Sequence, residues 1–216
     1  MLFDFAALPP ADRYKLMTST IVPRPIAWVV SQDAAGLVNA APFSFFNAFA
    51  NDPPVICLGI NGAGHDPGSL KDSATNIRAT GQFVVCLVPF GLLDPMHVTA
   101  LEFPHGVDEL TEAGLRTVAS THVAPPRIEG SPVAFECERH TIVELAEDRA
   151  ILVGRIVAMH VRDDAVLDAK RCHINTEALD LIGRMGANGY IRAAGPGVFQ
   201  RARLKLSEWT RRSSTG

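Results

Sequence analysis

Apolar and polar positions alternate with a short period along most of the chain, a pattern that predicts strands more often than helices. IAWVVSQ (26–32) and LVNAAPF (37–43) are rich in β-branched and aromatic residues, and DAAG (33–36) between them predicts a hairpin turn. Pro42 assigns the second of these strands to an edge or a bulge. DPPVICLGI (52–60) predicts a third strand, opened by a proline pair. After the Gly-rich INGAGHDPG, the segment SLKDSATNIRATG (69–81) predicts a helix, with Ser69 as its cap and Gly81 as its end. Leu70, Ala74 and Ile77 give that helix an apolar stripe at i, i+4 and i+7. QFVVCLVP (82–89) predicts a strand, and DPMHVTALEF (94–103) a short helix with Asp94 as cap and Pro95 in its first turn.

Residues 104–130 are mixed, with THVAPP (121–126) as a short strand. PVAFECERHTIVELA (132–146) and AILVGRIVAMHVR (150–162), joined by EDR, predict a long hairpin. TEALDLIGRMG (176–186) predicts one or two helical turns, GANGYIRAAGPG (186–197) a loop, and VFQRARLKL (198–206) a last strand. Strands outnumber helices, neighbours pair as hairpins, and no βαβα series appears. The pattern predicts one mainly β domain over 1–216: a closed antiparallel barrel with one or two attached helices.

Composition narrows the function. The chain has 216 residues, 47% of them hydrophobic and 20% charged, with a formal net charge of −3. That balance gives no long-range attraction to nucleic acid or to an anionic membrane, so local cations must catch any anionic ligand. The N-terminus, MLFDFAALPPADRYKLM, has acids and prolines where a signal peptide needs an apolar stretch. FVVCLVPFGLL is too short for a membrane span. A cytoplasmic protein is expected. None of Cys57, Cys86, Cys137 and Cys172 forms a CxxC pair, so they read as small apolar residues in a reducing compartment. Cys137 and His140 face opposite sides of their strand and hold no metal together. Glu136, Glu138 and His140 read as a solvated strand face.

No phosphate loop, nucleophile elbow or HExxH is present. Gly183, Gly186 and Gly189 read as loop, since no strand is expected to feed them and no long helix to follow. Three segments carry candidate chemistry. Lys71 opens a helix whose first N–H groups lack intrahelical partners, which suits either an anion or plain solvent. Arg24 stands between Pro23 and Pro25 in TSTIVPRPIAWVV, stiffened either to grip a phosphate or to face water at a strand entrance. NAAPFS (39–44) offers Ala40 and Ala41 as a thin wall, Pro42 as a break in the ladder, Phe43 for packing, and Asn39 and Ser44 as polar ends. It reads as the rim of a slot for a flat ligand, or as a proline-interrupted core strand.

STIVPRPIAWVVS, GLVNAAPFSFFNAFANDPP and LKDSATNIR stand together in that order. The set resembles the flavin reductase-like, FMN-binding split-barrel family, and its flavoredoxin-like branch. ILVGRIVAMHV and LIGRMGANGYIR also resemble that family, so the likeness covers roughly residues 18–195. It implies a six-stranded Greek-key split barrel with flanking short helices, a homodimer, and one FMN per subunit. It implies an FMN phosphate held by Arg24, Lys71 and Ser73 at a KD(T/S) helix start that includes Asp72. The flavin ring edge would run along Asn39, Ala40, Ala41, Pro42, Phe43 and Ser44. Asn76 would support the helix start or the ribityl chain, and Arg184 and Tyr190 would form the substrate or dimer-partner side. Where related reductases place a His before the IxxGxV strand, Asp148, Arg149 and Ala150 stand here. The cofactor would carry the chemistry, with no catalytic side chain and no metal. The implied activity passes reducing equivalents from NADH or NADPH through FMN to an acceptor: free flavin for a partner monooxygenase, ferric iron or a nitroaromatic. The alternatives are a flavoredoxin-like electron carrier without NAD(P)H oxidation, and a cofactor-free barrel.

Overall fold

The computed structural model describes residues 1–62, 64 and 70–198. In chain order the elements are α1 (Pro10–Thr20), β1 (Arg24–Pro25), β2 (Ala27–Gln32), β3 (Val38–Phe43), β4 (Phe46–Asn51), β5 (Pro54–Asn61), α2 (Asp72–Thr80) and β6 (Gln82–Leu87). Then follow α3 (Leu93–Val98), α4 (Glu109–Glu112), β7 (Thr117–Val118), β8 (Arg127–Ile128), β9 (Val133–Ala146) and β10 (Arg149–Val161). The chain continues with β11 (Val166–Asp168), β12 (His173–Ile174), β13 (Ile182–Arg184) and β14 (Tyr190–Arg192).

The main sheet runs β3-β2-β6-β9-β10-β5-β4, so it has seven strands where six were expected; the mainly β split-barrel fold itself is as read. β3 and β4 are its two margins, yet only Ser44 and Phe45 separate them in the chain. A link that short forces the sheet to curl until its margins meet. Gly59 N–H donates to Phe45 O at 2.7 Å, which carries the β4–β5 pairing one residue into that link. A Cβ on Gly59 would stand 3.0 Å from the Phe45 Cβ, so the bare backbone at 59 permits the approach.

The period of two along β2 and β6 sorts their side chains into two cores. Trp28, Val30, Val84 and Cys86 pack with Met96 and Leu110 on one side. Ala27, Val29, Phe83 and Val85 pack with Leu58, Leu152 and the α2 residues Ala74 and Ile77 on the other. Both faces are covered, which is why these two strands read as unbroken apolar runs. Trp28 Nε1 donates to Thr99 Oγ1 at 2.9 Å, so the indole is buried without losing its hydrogen bond. Gly154 passes under the Phe83 ring so closely that an added Cβ would overlap it. Gly154→Ala is therefore expected to destabilise by about 1–3 kcal/mol through overpacking, read as a lower urea midpoint with an unchanged slope.

Several local expectations change. α2 begins at Asp72, with Lys71 at the cap and no side-chain capping bond; Ser69 lies outside the described residues. Gly81 ends α2 in the left-handed region, as expected, its N–H donating to Ile77 O. Asp94 lies inside α3 and makes no capping bond. Residues 121–126 form no strand; the nearby pairing is the short β7–β8. The helical turn expected over 176–186 is present as one 3-10 turn at Glu177–Leu179, and residues 182–184 are a strand, so Gly183 sits in β13. α1 and β4 went unread. VFQRARLKL lies outside the described residues apart from Val198. Among the described residues no helix is long and apolar enough to cross a membrane.

Glu136 corrects the reading of β9 as solvent-facing. It is fully buried and accepts N–H groups from Thr121 at 2.7 Å and His122 at 2.6 Å, and a contact from His160 Nε2 at 2.5 Å. The alternation along β9 is regular here, with Glu136 opposite Val84 and on the side of Ala134 and Cys86, but that side is covered by the 121–123 segment and packs in the first core.

Candidate functional site

Two adjoining clefts share Pro42, Phe43 and Ala100 as a common wall. The wider, of about 370 Å³, is completed by Ser44, His97, Arg184, Asn188 and Tyr190 over an apolar floor that includes Ile26 and Met96. That volume is in the range of small-molecule sites, about 300–1,000 Å³. The narrower, of about 140 Å³, is reached past Ala41 and lined by Asn39, Lys71, Asp72, Ser73, Glu102 and Glu109. A third hollow beside Ile60, Ile77 and Leu152 has only about 10 Å³, room for no more than about one water.

β3 stands at the margin because Pro42 cannot donate to a neighbour. Ala40 N–H points away from β2 and donates to Glu109 Oε2 at 3.1 Å. Alternation along the strand then turns the Pro42 carbonyl outward too, with no N–H beside it. The wall is thus flat, apolar and short of donors along its middle.

The polar side chains near it form a buried chain of hydrogen bonds. Ser73 Oγ donates to Asn39 Oδ1 at 2.8 Å, and Asn39 Nδ2 donates to Glu109 Oε1. Burial pushes the Glu109 carboxyl above its ordinary value, opposed by the N–H donors and Asn39. Asn76 Nδ2 donates to Ser31 Oγ at 3.2 Å. Asn39, Ser73 and Asn76 are all buried, so their side chains brace β3 and β2 against α2. Asn76 lines neither cleft and braces α2 against β2.

Lys71 keeps the setting expected of it. It caps α2, its Nζ lies 5.9 Å from the Phe43 ring centroid, and its carbonyl accepts from Ala74 and Thr75 N–H. The N–H groups of Asp72 and Ser73 fall before the helical ladder begins. Asp72 itself pairs with His105 at 3.1 Å.

Arg24 does not converge with Lys71. Its Nη1 donates to Thr18 O at 2.6 Å and Ile21 O at 2.8 Å, its Nη2 to Met185 O at 3.1 Å, and its Nε to Ser44 Oγ at 3.4 Å. It is buried, lines neither cleft, and ties the end of α1 to the turn after β13. Ala40 is fully buried and also stands behind the wall.

The β13–β14 hairpin brings Arg184 opposite Tyr190. The Arg184 guanidinium carbon lies 4.5 Å from the Tyr190 ring centroid, and Tyr190 Oη meets His97 Nε2 at 2.7 Å. His97 and Glu109 were missed as site residues. Asp108 was the available signal for Glu109: it caps α4 by accepting from Leu110 and Thr111 N–H.

A slot with a flat apolar middle, a cation and open helix N–H groups at one end, and an Arg–Tyr–His group at the other suits a flavin. The flavin reductase like domain, as a family, matches residues 17–176. The chain belongs to that family. The matched span carries Pro42–Ser44 and Lys71–Ser73, and the β13–β14 hairpin follows it. An uncharacterised protein of Deinococcus radiodurans is 39% identical over 211 residues, covering 96% of this chain and 91% of that protein. The crystal structure of the Pseudomonas fluorescens 2-nitrobenzoate 2-nitroreductase is 30% identical with a TM-score of 0.82, covering 95% of this chain and 96% of that one. Nitrilotriacetate monooxygenase component B from Bacillus cereus is 27% identical with a TM-score of 0.83, covering 94% and 98%. A flavin reductase-like protein of this kind is a flavin-binding oxidoreductase.

Proposed function

We propose that this flavin reductase-like protein is an FMN-dependent reductase that draws on NADH or NADPH, acting in the cytoplasm as a homodimer. The observation that carries the reading is the wall Pro42–Phe43, continuous between a cleft that ends in Lys71 and a wider one that ends in Arg184. Lys71 and the N–H groups of Asp72 and Ser73 would hold the phosphate, by charge and by the partial positive end of the helix. Ala41, Pro42, Phe43 and Ser44 would bear the ring, and Asn39 would keep the wall's shape from behind. Bound FMN would supply hydride and electron transfer, and the protein supplies position and exclusion of water. No side-chain nucleophile is needed. Acceptors in keeping with the family are free flavin for a partner monooxygenase, ferric iron and nitroaromatics. The likeness to a nitrobenzoate nitroreductase favours the last.

The test is a flavin assay on the purified protein. FMN is expected to bind in preference to riboflavin, which lacks the phosphate, and NADH or NADPH to be consumed when FMN and an acceptor are added. Equal affinity for FMN and riboflavin would remove the Lys71 assignment. Tight FMN binding without NAD(P)H oxidation would make the protein an electron carrier.

A further inference from the structure

Glu109 is a buried carboxylate with no cation paired to it among the described residues. Its Oε2 accepts from Ala40 N–H at 3.1 Å, and its Oε1 accepts from Asn39 Nδ2. One bond further out, Ser73 Oγ donates to Asn39 Oδ1 at 2.8 Å. The chain of bonds has a direction: Ser73 gives to Asn39, Asn39 gives to Glu109, and the run ends on the carboxylate. Ser73 lines the narrower cleft, yet its hydroxyl hydrogen is turned away from it, toward Asn39. In this state Ser73 offers the cleft a lone pair and no donor.

A proton on Glu109 reverses the run. Ala40 N–H can only donate, so it keeps Oε2 as an acceptor and leaves the proton to Oε1, facing Asn39. The Asn39 amide must then turn over, presenting Oδ1 to Glu109 and Nδ2 to Ser73 Oγ. Ser73 becomes free to donate into the cleft. The charges facing Glu109 are Lys71 and Asp72 at the start of α2 and Glu102 after α3, with His105 paired to Asp72. Val38–Phe43 brings no titratable group, and Asp108 on its own helix is engaged as the cap. Burial first, and the Asp72 charge after it, push the Glu109 carboxyl upward.

We propose that Glu109 is a positioning residue for the phosphate end of the slot: its charge state sets, through Asn39, whether Ser73 presents a donor or a lone pair to the narrower cleft. This rests on the flavin reading and adds a control to it. The phosphate is held more tightly when Glu109 is neutral, and binding takes up a proton there. A nearby anion raises a carboxyl further, so affinity is greatest with Glu109 protonated and falls as pH rises through its titration.

The test measures FMN and riboflavin dissociation constants from about pH 5 to about pH 8 on the unaltered protein, Glu109→Gln, Ser73→Ala, the double variant and His105→Gln. In Glu109→Gln the Ala40 N–H holds the amide oxygen, which turns the amide nitrogen to Asn39 and fixes the reversed run. At the upper pH that variant is expected to bind FMN about fivefold tighter than the unaltered protein. The difference should vanish in the Ser73→Ala background and for riboflavin, and His105→Gln should keep the unaltered protein's response. The second ionisation of the phosphate, near about pH 6, acts on every variant alike. Calorimetry of the unaltered protein in buffers of differing ionisation heat should show proton uptake with FMN and none with riboflavin, a reading that needs no variant. Weaker FMN binding by Glu109→Gln at every pH would make Glu109 a mere brace and overturn the proposal. A difference that persists without the Ser73 hydroxyl would overturn it in favour of plain charge repulsion, and loss of the response in His105→Gln would move it to that histidine. FMN held no more tightly than riboflavin at any pH would instead remove the phosphate reading itself, and this proposal with it.

Discussion

Arg24→Ala is expected to unfold the protein more readily, and Lys71→Ala to loosen its hold on FMN at unchanged stability. The two cations were read from the sequence as one phosphate site, but their surroundings give them different work. Truncating Arg24 leaves the carbonyls of Thr18, Ile21 and Met185 without the donor that serves them. Each is partly or wholly buried there, and the loss should amount to roughly 2–4 kcal/mol. In a chain of this size that corresponds to a thermal midpoint lower by about 5–15 °C. Lys71 is partly exposed at the start of α2 and makes no ion pair among the described residues. Its truncation should leave the midpoint nearly where it was and weaken FMN binding by about 1–3 kcal/mol, as for a lost charged hydrogen bond. Thermal melts without flavin and equilibrium FMN titrations on both variants separate the two effects. An Arg24→Ala protein of full stability that no longer takes up FMN would reverse the assignment.

Glu136 should dominate the acid side of the stability profile. Burial alone would raise its pKa; the N–H groups of Thr121 and His122 and the contact with His160 more than offset this and lower it from 4.5 to about 2. A carboxylate depressed in the folded state stabilises it above the unfolded value. That contribution is present above about pH 4.5 and is lost as pH falls through about 2. It is on the order of 3 kcal/mol. Glu136→Gln should therefore be destabilised by an amount of that order at pH 7 and show a flatter profile between pH 5 and pH 2. Urea unfolding at a series of pH values measures this. Parallel acid limbs for the two proteins would mean that Glu136 does not carry the term. The segment most exposed to the change is 121–123, which Glu136 fastens by two N–H groups and which places Val123 in the core.

Much of the barrel was legible because its strands obey simple rules. The β9–β10 hairpin announces itself by two β-branched runs and a charged turn, and it runs from Val133 to Val161 with the turn at Glu147 and Asp148. The Asp33–Gly36 turn is likewise where the chain says, with Asp33 Oδ1 accepting from Ala35 and Leu37 N–H. Glu136 was misread because the second face of β9 is covered too, by the irregular 121–123 segment, and no local pattern reveals that cover. β4 was missed because its residues are mostly exposed and include Asn47 and Asn51, so its membership of the sheet rests on pairing with β5 alone.

The site was half legible. Pro42 marks a margin strand in any sequence, and a lysine at a helix start marks a place for an anion. Whether a polar side chain faces the ligand or the protein is set by distant partners. Asn39 is turned inward by Glu109, seventy positions later, and Arg24 by Met185, one hundred and sixty-one positions later. Pairings across such distances leave no spacing to read.

The short link from β3 to β4 has a mechanical consequence. The chain steps from one margin of the sheet to the other beside the very wall that would bear the flavin, and the step is fastened where Phe45 meets Gly59. The seam of the barrel and the slot are therefore one place. A ligand held against Pro42, Phe43 and Ser44 would therefore bear directly on the link that joins the two margins.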